Sequence, residues 1–214
     1  MNFYQTLLER TEKERNQLLS ISILQDAVKG EISQATYHKF LIEAYHHVKH
    51  TTPLLMACGS LLPERLEWLR EAAGEYIEEE MGHQEWILND ITALGGSCED
   101  VRHGSPSIAT ELMVSYAWDT IQRINPVGFF GMVLVLEGTS VQLATQAAEA
   151  IQKSTDLPDE AFSYLTSHGS LDIEHVSFFE KLMNKLDNRQ DQEAVVHCAR
   201  IMYKLYGDIF RGIE

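Results

Sequence analysis

The chain has 214 residues, 44% hydrophobic and 23% charged, which suits one globular domain over 1–214 with a full apolar core. Thirty-two acidic residues against seventeen basic ones leave a net charge of −15, which argues against nucleic acid or an anionic membrane as a partner, because each needs a basic footprint. The longest uninterrupted apolar run, Phe129 to Leu136, is too short to span a bilayer; Met1-Asn2-Phe3-Tyr4-Gln5 opens no signal-peptide core; and Cys58, Cys98 and Cys198 form no disulfide framework, so a cytoplasmic setting is expected.

Almost every segment reads as helix. A first amphipathic stretch covers about residues 2–29 and ends at Gly30. Ser33 is placed to cap a second helix reaching about Leu62, with a kink expected at Pro53. Pro63 suits the first position of a third helix, which ends near Leu94-Gly95-Gly96. Gly95 to Ser107 reads as a loop. A fourth helix follows over about 107–124, and Asn125-Pro126 starts a fifth over about 127–152. Pro158 opens a sixth that reaches about Leu186, and about 190–211 forms a seventh. No strand alternation or internal repeat is visible. The expectation is an all-α bundle of about seven helices.

Steps of three and four residues along a helix trace its buried stripe. In the third helix the stripe runs Leu69, Ala73, Tyr76, Glu80, His83, Ile87, Ile91, with Glu78 and Glu79 falling off it towards solvent. In the fifth it runs Phe130, Leu134, Glu137, Val141, Ala144, Ala148. In the sixth it runs Ala161, Leu165, His168, Asp172, His175, Phe179, Leu182. In the second it runs Phe40, Ala44, His47, Thr51, Leu55, with Glu43 and His50 on its flank and His46 on the opposite side.

Burying one unpaired carboxylate costs several kcal/mol, so ionisable residues in the middle of four apolar stripes need a common cause. A metal centre provides one, with ligands projecting inward from facing helices and cations neutralising the carboxylates. Mixed imidazole and carboxylate donors suit iron or manganese. Taken singly, each element has a plainer reading. His47 could be a satisfied core histidine, Glu80-x-x-His83 a helix-surface pair, and Glu137 a core glutamate bound to a tyrosine or a carbonyl. His38, His46, His103 and His197 read as peripheral, and Cys58 and Cys198 as small core residues.

At Glu80-x-x-His83, Glu137 and His168-x3-Asp172-x2-His175 the chain resembles the TenA/PqqC-like haem-oxygenase-fold superfamily, and within it the haem-oxygenase-like di-iron oxidases. The resemblance covers nearly the whole chain. It implies a haem-oxygenase-like bundle, two irons per chain (or manganese in their place), dioxygen and a small organic molecule as substrates, and a homodimer. The implied ligands are Glu80, His83, Glu137, His168, Asp172 and His175, to which the spacing of the early helix adds His47. Glu80, Glu137 and Asp172 bring about three negative charges to meet the four positive charges of two ferrous ions. Tyr45 and Tyr76 could support the ligands, and Phe129, Phe130, Met132, Phe178 and Phe179 could wall a substrate pocket.

The chain departs from the family at the early helix. The family usually offers a carboxylate there, whereas Tyr45-His46-His47-Val48-Lys49-His50 offers His47 by spacing, with Glu43, His46 and His50 as alternatives. Two rival classes stay open: a metal-free enzyme of the thiaminase or PqqC kind, and a non-catalytic small-molecule or tetrapyrrole binder. The thiaminase reading wants a cysteine nucleophile, and none stands near Glu137 in sequence.

Overall fold

A computed structural model describes residues 2–213, except for the side chains of 168–174. No strand occurs among the described residues. The haem-oxygenase-like all-helical expectation holds, but several long predicted helices are broken, and the breaks matter for the site.

The first stretch divides into α1 (Phe3–Arg10), α2 (Glu12–Leu19) and α3 (Ser22–Ala27). The backbone leaves helical geometry at Thr11, whose buried hydroxyl donates to the Leu7 carbonyl at 2.8 Å, and at Ile21, which is extended. The second predicted helix becomes α4 (Gln34–Val48) and α5 (Thr51–Leu61). Its break falls at Lys49-His50 rather than at Pro53. Pro53 sits in the first turn of α5, where the N–H it lacks has no intrahelical acceptor to miss.

The third predicted helix becomes a short 3₁₀ turn (Glu64–Leu66), α6 (Glu67–Glu80) and α7 (His83–Ala93). Gly82 makes the break by adopting φ +97, a left-handed conformation that a side chain would disfavour. Glu80 and His83 therefore lie on either side of a corner, not on one helix. The expected loop contains a short helix, α8 (Cys98–His103), capped by the Ser97 side chain. α9 (Ile108–Asp119) widens into a π turn over Thr120–Ile124. α10 (Phe130–Thr155), α11 (Ser163–Lys185) and α12 (Arg189–Ile213) complete the chain.

α10 is the central helix, packed against both α11 and α12, while α5 packs on α6 and α4 on α7. Gly131 permits a close approach of α10 to α12: a Cβ there would stand 2.5 Å from the Val195 carbonyl oxygen and 2.6 Å from the Ala199 nitrogen. Pro126–Thr155, which contains an 18-residue window of mean hydropathy 1.5, is long and apolar enough by length and composition to cross a membrane. Its contacts with α3, α11 and α12 make it a core helix of the bundle. The buried apolar residues form two clusters. One includes Leu55, Tyr76, Met132 and Tyr206, and the other includes Tyr37, Val48, Ala144 and Tyr164. The ionisable residues gather between them.

Candidate metal centre

His47 of α4, Glu80 of α6 and Glu137 of α10 line one cavity. Its other walls include Val48, Leu55, Tyr76, Phe129 and Met132. Two further histidines flank the carboxylates. His83 Nδ1 lies 3.2 Å from Glu80 Oε2, and His175 Nδ1 lies 3.8 Å from Glu137 Oε1. His47 and His83 are each 3% exposed and His175 is 6%. Three of the seven expected ligands thus line one space and two more stand beside its carboxylates, the five coming from five helices. The other two, His168 and Asp172, lie outside the described residues.

The corner at Gly82 is what aims Glu80 and His83 at each other. α6 ends at Glu80 and α7 begins at His83, so the two side chains meet across the turn that Gly82 makes. His175 is fixed on its outer side by Glu79 Oε2, 2.9 Å from Nε2. Glu79 is exposed, as expected off the stripe, and its carboxylate also reaches back to this buried histidine. The pattern could not reveal this, since Glu79 lies off the apolar stripe and its partner is on another helix.

Of the early-helix candidates, His47 is the one that lies at the cavity wall. Glu43 is buried, but it turns to the start of α9. There it accepts from the Ser107 backbone N–H at 3.2 Å and from the Ser107 hydroxyl at 2.9 Å, and it also bonds the Thr110 hydroxyl. His46 is not peripheral as expected: it is 1% exposed, with Nδ1 3.2 Å from Lys49 Nζ and its ring edge-on to Tyr45. His46 and His50 both have lowered pKa values, chiefly because burial disfavours the imidazolium and then because Lys49 is close. His103 and His197 are exposed, as expected, and His38 is half-buried.

Around the cavity, Tyr76 packs its ring edge against His175 at 6.0 Å, and Phe129 and Met132 form apolar wall. Phe130 and Phe179 are plain core, Phe178 packs on Tyr76, and Tyr45 packs on His46 outside the lining. Sequence reasoning missed Tyr164 and Tyr206, which both line the cavity, with Tyr206 edge-on to His47 at 5.9 Å.

The donor chemistry fits a bound iron centre: Glu80, Glu137 and His47 on the cavity wall, His83 and His175 beside the two carboxylates, and no lysine or arginine among the described lining residues. Among the described residues alone, no three histidine, cysteine, aspartate or glutamate side chains are close enough together to hold one ion. The geometry is of two Glu–His pairs across a shared space. Cysteine takes no part in it. Cys58 and Cys198 are buried outside the lining, and burial pushes both thiols up to about 12, which leaves them poor nucleophiles.

Residues 38–207 match the haem-oxygenase-like family described as iron-containing redox enzyme, and the chain belongs to that family. No curated protein shows significant sequence similarity to it. Its fold matches a domain of unknown function with a heme oxygenase-like fold from Shewanella denitrificans, at 23% identity and TM-score 0.86, over 98% of this chain and 91% of that one. It also matches a TenA homologue from Pseudomonas syringae, at 12% identity and TM-score 0.83, over 99% and 92% of the two chains. The heme oxygenase-1 of the cyanobacterium Synechocystis, solved with heme, matches at 13% identity and TM-score 0.77, over 100% and 93%.

Proposed function

We propose that this protein is an oxidase or oxygenase that activates dioxygen at a dinuclear non-haem iron centre and acts on a small organic substrate. One observation carries the reading: Glu80 and Glu137, from different helices, line the same apolar cavity as His47, and each has a further histidine beside it. Two carboxylates at one interior space are costly without cations to neutralise them. Bound iron would supply the electrons and the Lewis acidity that dioxygen activation needs.

The chain's own residues divide the remaining work. Glu80 and Glu137 would give anionic oxygen donors, while His47, His83 and His175 would give nitrogen donors, with His168 and Asp172 as the further candidates from α11. Glu79 engages Nε2 of His175 and thereby turns Nδ1 towards Glu137. Tyr76, Phe129, Met132 and Val133 keep water from the space.

A haem site is the reading that the heme-bound structural neighbour brings to mind. The lining speaks against it. Haem iron takes one or two axial protein ligands, and a pair of carboxylates would then face an apolar macrocycle. Anaerobic loading with Fe(II), desalting and metal analysis test the proposal. About two irons retained per chain are expected. No retained iron overturns it, and a Soret band on haem titration would move the assignment to a tetrapyrrole binder.

A further inference from the structure

A second cavity adjoins the candidate centre. It lies among α3, α4, α10, α11 and α12. Leu24, Phe40, Ala144, Ala147, Ile151 and Phe210 are typical of its walls, which are almost wholly aliphatic and aromatic. Three side chains line both cavities: Ser140, Tyr164 and Tyr206. These three side chains therefore border both spaces and form the neck between them, with His47, Glu80 and Glu137 on one side and hydrocarbon on the other.

Ser140 stands out at that neck. Its Oγ is buried and has no hydrogen-bond partner among the described residues. A buried hydroxyl left unpaired is unfavourable, so the atom is set to receive a partner from a bound molecule. Below it, the same face of α10 presents Ala144 and Ala147, whose small side chains leave the chamber open, down to Ile151. Ile151 is three turns from Ser140, about 16 Å of helix rise at ~1.5 Å per residue. An apolar chamber of that form does not attract water, which needs polar partners to be held.

We propose that this chamber binds the extended hydrocarbon body of the substrate, with the Ser140 hydroxyl hydrogen-bonding the polar group at its end, so that the polar end lies at the neck facing His47, Glu80 and Glu137. The substrate class is an elongated apolar molecule bearing one hydrogen-bonding polar group. Ser140 selects the polar end, and Ala144 and Ala147 set the length. The binding step stands without metal; only its meaning for catalysis rests on the oxidase reading.

The test uses the full metal-free chain and uncharged probes, namely hexanol, octanol, decanol and dodecanol, titrated calorimetrically. Affinity should rise roughly fourfold per methylene, the factor that about 0.8 kcal/mol of transfer free energy implies, and then level off when the chamber is full. Ala147→Phe should level off at a shorter alcohol, with the milder Ala144→Val as a second variant and circular dichroism to confirm that both are folded. Ser140→Ala should weaken octanol about fivefold while keeping the same rise per methylene. Absence of saturable binding, or an unchanged length limit in both folded alanine variants, overturns the proposal. Iron retention, measured separately, reports on the oxidase reading alone, so the two can fail independently.

Discussion

Glu79 Oε2 lies 2.9 Å from His175 Nε2, although the glutamate side chain is 52% exposed and the histidine side chain only 8%. A carboxylate bonded to the outer nitrogen of a buried imidazole fixes both its tautomer and its direction. If His175 is a ligand, Glu79→Ala should weaken Fe(II) binding by tenfold or more. Glu79→Gln should keep most of the affinity, because its amide oxygen can still accept. Anaerobic Fe(II) titration reads both, and an unchanged affinity in Glu79→Ala would deny Glu79 this role.

Glu43 makes a different prediction. Its bonds to Ser107 and Thr110 tie α4 to the first turn of α9. Glu43→Ala leaves those buried donors without their acceptor, a cost of about 1–3 kcal/mol. The melting temperature should fall by several degrees in a chain of this size, with iron stoichiometry unchanged. Loss of iron in this variant would instead return Glu43 to the ligands of the early helix.

Asp90 predicts a pH dependence. It is fully buried and caps the start of α11, accepting from the Ser163 N–H at 3.1 Å and the Tyr164 N–H at 2.9 Å. Burial outweighs these bonds and holds its pKa above the ordinary 3.8. Between those two values the folded chain keeps a proton that the unfolded chain has released. The stabilising contribution is therefore complete below 3.8 and is lost as pH rises through the folded value. Melting curves at stepped pH should show wild type losing ground to Asp90→Asn across that window and then running parallel to it towards neutrality. A wild-type advantage that grows with pH would contradict this.

The stripes were legible because burial imposes a helical period, and Glu80, His83, Glu137, His175 and His47 could be found as polar residues at apolar positions. The corners were less legible. Gly82 resembles any other glycine within a helical pattern until its φ of +97 is seen, and the break at Lys49-His50 carries no glycine or proline at all. The partners across helices were invisible to periodicity. Glu43, Glu79 and Asp90 each serve a segment far away in sequence, and so do Tyr164 and Tyr206 at the cavity wall. Periodicity locates a face; it does not say what the next helix presents to it.

His46 and His47 carry the sharpest comparison. Successive residues on a helix point about 100° apart, and near the end of α4 this sends the two rings into different surroundings. His47 lines the cavity and meets Tyr206, whereas His46 packs between Tyr45 and Lys49 outside the lining. Both are buried, so truncating either one removes core contacts and should lower the melting temperature. Only one of them faces the carboxylates. His47→Ala should therefore weaken one of the two iron positions much more than the other, and about one iron per chain should survive desalting. His46→Ala should retain the wild-type stoichiometry despite its lower melting temperature, which separates loss of a ligand from loss of packing. Equal stoichiometry and affinity in wild type and His47→Ala would remove His47 from the ligands and leave it as a core histidine beside Tyr206.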